Sequence, residues 1–132
     1  EELEKIHIKP FKAAVNSGVS AVMAAHVLYP ALDSVPASVS EKITAGILIK
    51  QLGFKGIVIT DDMEMGGIKG YTNLEACILA VNAGVNMFIF RNTNEEILQL
   101  INDLEEAVNK KEIDEEKINI SVQKILNLKQ FI

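Results

Sequence analysis

Two adjacent carboxylates, Asp61 and Asp62, follow directly on the apolar run Ile57-Val58-Ile59-Thr60. His26 closes an earlier apolar stretch, and Arg91-Asn92 closes a later one. Parallel α/β proteins build their sites at the carboxyl ends of strands. If the three stretches are such strands, carboxylates, an imidazole and a guanidinium converge on one rim. Asp61 at a strand end suits a nucleophile, a base or a metal ligand, or else a cap or loop acceptor. A carboxylate near a buried strand needs donors or a cation to offset its desolvation. Asp62 is its sequence neighbour and fits a cap of the following turn. His26 suits a hydrogen bond to a ligand, or a core imidazole satisfied by a nearby carbonyl. Arg91 suits an anion contact or a pair with Asp62. Met23, Met63 and Met65 could line an apolar sugar pocket or simply fill a core. His7 reads as a surface residue, and Cys77 as inert core.

Those residues need elements to hold them. The apolar stretches 19–27, 56–60 and 85–90 have the length and composition of strands buried on both faces. Helical signals lie between them. Ser40 can cap a helix ending at Gly53. Thr72-Asn73-Leu74-Glu75 reads as a capping box with Gly84 at the far end. Thr93-Asn94-Glu95-Glu96 reads as a second box, followed by a stripe of Ile97, Leu100, Ile101, Leu104 and Val108. A last helix is expected from about Asp114, with Ile118, Val122, Ile125 and Leu126 on one face. Ala14-Val15-Asn16-Ser17-Gly18-Val19 nearly repeats as Ala80-Val81-Asn82-Ala83-Gly84-Val85, each reading as helix end, glycine, strand start. Gly66, Gly67 and Gly70 read as a flexible loop beside the site, and residues 110–117 as a solvated turn. Neither G-x-G-x-x-G nor G-x-x-x-x-G-K-S/T is present, so no phosphate-binding fingerprint is read.

The chain has 132 residues, of which 48% are hydrophobic, enough for one domain with a core. Its net charge of −5 argues against a duplex nucleic-acid surface. A single Cys excludes an internal disulfide framework and a multi-thiolate zinc site. No apolar run is long enough for a membrane-spanning helix. A start at Glu1 instead of Met fits a piece of a longer polypeptide. The count of strands says the same. Three are too few for a closed (β/α)₈ barrel or for an open doubly wound sheet. The fold class expected is α/β: a partial (β/α)₈ barrel of about three parallel βα units plus a C-terminal helix.

The segment Gly53-Phe54-Lys55-Gly56-Ile57-Val58-Ile59-Thr60-Asp61-Asp62-Met63-Glu64-Met65 resembles the nucleophile segment of glycoside hydrolase family 3, in its bacterial β-N-acetylhexosaminidase branch. Pro10-Phe11-Lys12 and Val22-Met23-Ala24-Ala25-His26-Val27-Leu28-Tyr29-Pro30 are similar to the helix and strand that precede it. Asp33, Pro36-Ala37-Ser38 and Ser40 also fall where that family has matching residues. The resemblance covers roughly residues 9–90.

It implies that residues 1–132 are the C-terminal part of the catalytic barrel. It also implies that Asp61 is the nucleophile of a retaining hydrolase that removes terminal β-linked N-acetylglucosamine from peptidoglycan fragments or chitooligosaccharides. His26, Met23, Asp62, Met63 and Arg91 are the expected substrate contacts. The resemblance implies a carbohydrate substrate, no metal and no organic cofactor, with neither nucleic acid nor membrane as a partner. The parent is expected to be bacterial, cytoplasmic or secreted.

The branch carries its general acid/base in an upstream K-H-F-P-G-H-G-x-T-x-x-D-S-H loop, and its sugar-gripping Lys-His pair and Arg also lie upstream. None of these occurs in the chain, so the N-terminal barrel half is the expected partner and the isolated chain is expected to be inactive. Three alternatives stand beside this reading. One is a β-glucosidase-type member of the family. Another is a non-catalytic half-barrel that associates with itself through its exposed edges. The last is a Mg²⁺ site at Asp61-Asp62.

Overall fold

Strand β2 (Ile57–Asp62) is the centre of a three-stranded parallel sheet, flanked by β1 (Ala21–Ala24) and β3 (Met87–Ile89) in the order β1-β2-β3. The computed structural model describes residues 2–130; Glu1, Phe131 and Ile132 lie outside them. Ala21 to Ala24 pair with Ile57 to Thr60 one for one, and Ile59 pairs with Met87. The register then shifts, so that Asp62 stands opposite Ile89. β1 is shorter than its apolar stretch because both ends are used otherwise. Val19 N–H bonds back to Ala14 of the preceding helix, and beyond Ala24 the chain leaves the ladder toward a bridge between Leu28 and Pro36.

Helices cover one face of the sheet. They are α1 (Ile8–Asn16), a helix Glu41–Gln51, α2 (Asn73–Asn82), α3 (Glu95–Asn109) and α4 (Glu115–Lys129). A wide turn at Leu3–His7 leads into α1, and short 3₁₀ turns lie at Ala37–Val39 and Gly66–Ile68. The helix Glu41–Gln51 is wound as a π-helix: Leu52 N–H, for example, reaches the Ile47 carbonyl five residues back. Side chains on a strand alternate. Val22 and Ala24 of β1 and Val58 of β2 therefore share one face, and they join a core with Phe54, Met63, Ala76, Cys77, Ala80, Val85 and Leu100.

The opposite face departs from the expectation of strands buried on both sides. Met23, in register with Ile59, is 52% exposed. A second layer is what would bury that face, and none lies over Met23 among the described residues. At its amino end the sheet is closed by α4, whose Lys124 donates to the Gly56 carbonyl at 3.0 Å.

Most of the local signals act as read. Ser40 accepts from Ile43 N–H, and Gly53 beyond the helix has φ +72. Thr72 and Glu75 form both bonds of a capping box. The near-repeat is one structure used twice. Val19 N–H bonds to Ala14 O and Val85 N–H to Ala80 O, with Gly18 and Gly84 at φ +77 and +96. That is the six-to-one closure of a helix on a left-handed residue, a conformation that favours glycine.

Four expectations need correction. Asn94, not Thr93, caps α3, taking Ile97 N–H on its side chain, and the second capping box does not form. The α3 stripe is only partly used: Leu100 is buried, but Ile101 is 63% exposed. In α4, Val122 and Leu126 face outward. The helix is anchored instead by polar groups: Ser121 receives Asn86 Nδ2, and Lys117 reaches Asn82. The segment 110–117 is likewise more than a solvated turn, since Ile113 within it is fully buried.

Candidate active site

Asp61 is the fifth residue of β2, so its side chain falls with Ile57 and Ile59 on the sheet face opposite the helical core. Its Oδ1 accepts the N–H of Asp62 at 2.8 Å. Its Oδ2 has no partner among the described residues, and no cation lies against it. The result is a half-buried carboxylate with one oxygen fixed and one oxygen open.

Asp62 is held on every side. Its Oδ1 accepts Glu64 N–H at 3.1 Å, and its Oδ2 meets Arg91 Nε at 3.2 Å. Its carbonyl accepts from Met65 N–H and from His26. Arg91 also lies 3.7 Å from Glu64, which takes both the backbone and side-chain N–H groups of Asn92. The end of β3 is thereby tied to the loop after β2. The pairing of Arg91 with Asp62 and the turn-capping role of Asp62 match the more structural of the alternatives read for those residues.

His26 is buried and bonded through both ring nitrogens: Nδ1 lies 2.6 Å from Ser38 Oγ and Nε2 lies 3.2 Å from the Asp62 carbonyl. Met63 is 1% exposed and sits in the core, whereas Met23 is on the open face. The two methionines grouped on composition therefore occupy different environments. Met65 is exposed beside the loop. Arg91 is exposed at the rim. Of the expected contacts, the structure brings Asp62, His26 and Arg91 together with Asp61, and places Met23 on the same sheet face as Asp61. His7 is exposed, as read. Cys77 is fully buried, and burial pushes its thiol up to about 12.

The loop read as flexible is closely seated. A side chain at Gly67 would collide with the His26 carbonyl, so glycine is needed there to let the two backbones touch. Two residues of the rim escaped sequence reasoning. Ser38, completely buried, is the partner of His26, and Glu64 is the anchor of Asn92. In the sequence Ser38 reads only as part of the Pro36-Ala37-Ser38 match, and its bond to His26 is what reveals its role.

Asp33 supports the same corner. The Ser40 hydroxyl, with the Ser34 N–H, holds its carboxyl below the ordinary range. Clefts of about 560 Å³ at residues 111–119 and about 470 Å³ at the amino end of the sheet do not include Asp61. Asp61 stands on open sheet, and a substrate would need further walls around it. No three His, Cys, Asp or Glu side chains among the described residues are grouped closely enough to hold a metal ion. No helix among them is long and apolar enough to cross a membrane.

Known proteins are similar to the chain in sequence and in fold. A β-hexosaminidase of Nitrosomonas eutropha is 35% identical over 105 residues, covering 79% of this chain and 30% of that protein. One of Chromobacterium violaceum is 38% identical over 96 residues, covering 72% of this chain and 27% of that protein. Among solved structures, a family 3 β-N-acetylglucosaminidase from a Paenibacillus species superimposes with a TM-score of 0.90 at 37% identity, over 97% of this chain and 25% of that one. The β-N-acetylglucosaminidase of Thermotoga maritima gives a TM-score of 0.88 at 29% identity, over 96% and 28% of the two chains. The chain thus spans less than a third of the length of these relatives, and its α/β fold corresponds to part of their barrel. The family model described as the glycosyl hydrolase family 3 N terminal domain matches residues 1–128, and with it the chain belongs to glycoside hydrolase family 3.

Proposed function

We propose that the chain is the nucleophile-bearing, C-terminal part of the barrel of a retaining β-N-acetylhexosaminidase, acting on terminal β-linked N-acetylglucosamine of peptidoglycan fragments or chitooligosaccharides. The observation that carries this is Asp61: a carboxylate at the carboxyl end of the central strand, on the open face, with Oδ2 unpartnered among the described residues. In this mechanism Oδ2 attacks the anomeric carbon as the glycosidic bond breaks, giving a glycosyl-enzyme that water then hydrolyses. The Asp62 N–H on Oδ1 fixes the carboxylate plane, so the open oxygen is aimed and not free to rotate. The negative charge of Asp61 offsets the oxocarbenium-like transition state. Met23 supplies apolar surface beside Asp61 and Arg91 a polar donor at the rim, while His26, Asp62 and Met63 frame the loop.

The general acid/base and most of the sugar grip belong, on this reading, to the N-terminal half of the parent barrel. The chain by itself is then inactive. The test is made in the longer protein that carries this segment. A fluorinated N-acetylglucosaminyl donor, which forms the glycosyl-enzyme faster than it hydrolyses, should leave its sugar on the peptide containing Asp61. Asp61→Asn should lower turnover by roughly 10⁴-fold or more with the fold intact. A label on another residue, or an active Asn variant, overturns the assignment. Turnover of an aryl β-glucoside in preference to the aryl β-N-acetylglucosaminide would move the substrate to glucosides.

A second reading has its own observation. β1 and β3 are unpaired on their outer edges within the described sheet, and Met23 is half exposed. An isolated half-barrel of this kind should self-associate to cover those surfaces. Sedimentation of the 132-residue chain at micromolar concentration should show dimers or larger species, and a single monomeric species removes this reading.

A further inference from the structure

We propose that His26 is a positioning residue whose ring, through the Asp62 carbonyl, sets where the Asp61 carboxylate stands. The proposal deepens the reading of Asp61 as the nucleophile and takes its catalytic meaning from it. A carbonyl can only accept, so His26 Nε2 carries the hydrogen and donates it to Asp62 O at 3.2 Å. In the neutral ring Nδ1 is then the acceptor, and the Ser38 hydroxyl donates to it at 2.6 Å. Ser38 is 0% exposed, so its bond to the ring is shielded from solvent.

Each neighbour of the ring is itself fixed. Ala37 N–H bonds to the Val27 carbonyl, Thr44 Oγ1 donates to Ala37 O, and Ser40 joins Asp33. The backbone of His26 is seated against Gly67, in the loop that follows β2. His26 therefore clamps the carbonyl of the residue whose N–H holds Asp61 Oδ1. Three segments meet at this ring: the end of β1, the turn Ala37–Val39 and the end of β2.

The clamp works on the backbone of residue 62, while the pair with Arg91 works on its side chain. Arg91 is exposed and its pair is screened by solvent, so the buried imidazole is the stiffer of the two restraints. The Asp62 carbonyl belongs to the 62–63 peptide and also accepts Met65 N–H at 3.0 Å, so loss of the imidazole loosens that peptide and, through the Asp62 backbone, the N–H that holds Asp61 Oδ1. A misplaced nucleophile then lowers kcat with little change in KM.

Two substitutions separate the ring's two ends. His26→Gln places an amide N–H near the Nε2 position and preserves the bond to Asp62. His26→Asn reaches only the Ser38 side. Amide hydrogen exchange at Asp62, measured on the 132-residue chain, reads the bond to Asp61 Oδ1 directly. His26→Asn should speed exchange at Asp62 and Glu64 by roughly tenfold while Val58 and Ala80 keep their protection, and His26→Gln should restore it. Should His26→Asn fail to fold, Ser38→Ala loosens the same ring from its other side and should raise Asp62 exchange selectively. In the longer protein the Asn variant should lose kcat, not KM, and the Gln variant should recover it. Unchanged exchange at Asp62 in these variants, or a rise spread evenly over the core, overturns the proposal. Labelling away from Asp61 overturns the nucleophile reading instead, and leaves the exchange result standing as a statement about the clamp.

Discussion

The two faces of one strand treat the same chemistry in opposite ways. Asp61 and Asp62 are neighbours on β2, yet alternation turns them apart. On the helix-packed side, Val58 and Thr60 are fully buried, and Asp62 is consumed by Arg91, Glu64 N–H and His26. On the open side, Met23 is half exposed and Asp61 keeps one carboxylate oxygen unengaged. One face has spent its polar groups on internal bonds, and the other presents them. That asymmetry is what separates a structural carboxylate from a candidate nucleophile, and it is invisible in residue type alone.

The comparison can be broken most sharply at the two aspartates. In the longer protein Asp61→Asn should abolish turnover, whereas Asp62→Asn should leave a measurable fraction of it. Equal losses would mean that the two faces are not functionally distinct. The two methionines come next. Met63→Ala on the packed side should cost about 2–5 kcal/mol in urea unfolding, because it empties an enclosed site. Met23→Ala on the open side should stay within about 0.5 kcal/mol. A large cost at Met23 would show that the face is covered in solution. Arg91→Gln should cost at most about 1 kcal/mol, since its guanidinium is exposed and the pair is screened.

The smallest effects concern ionisation. Cys77, on the packed side, should resist thiol reagents at pH 8 in the folded chain and react on unfolding, because burial holds its thiol protonated to about pH 12. At the rim, Asp33 is held below its ordinary value of 3.8 by Ser40 and Ser34. Its stabilising contribution is present above that value and is lost as pH falls through the lowered one. Asp33→Asn should therefore flatten the fall in stability below about pH 3.8, read from thermal unfolding at a series of acidic pH values. An unchanged acid slope would detach Asp33 from the corner that supports the rim.

Much of this molecule was written in local pattern. Strand cores, the Ser40 cap, the Thr72-Glu75 box and the Gly18 and Gly84 helix closures are decided by a few consecutive residues, and they form as read. The place of Asp61 at the end of β2 belongs to the same class. Other features depend on partners far along the chain. Thr93 lost the α3 cap to Asn94, whose side chain reaches Ile97 N–H, because cap choice follows how the backbone enters the helix. The outward turn of Val122 and Leu126 follows from Ser121 and Lys117 finding Asn86 and Asn82, more than thirty residues away. Met23 and Met63 are alike in composition, and only the one-sided layering of the sheet separates them.

The sequence by itself determined the elements, their order and the carboxylate at the strand end, since these rest on interactions within a few residues. Only the tertiary structure decided which oxygen of that carboxylate stays open, which histidine nitrogen faces Asp62 and what Ser38 is for. Those are matters of ångströms between segments, set when the sheet and its helices pack together.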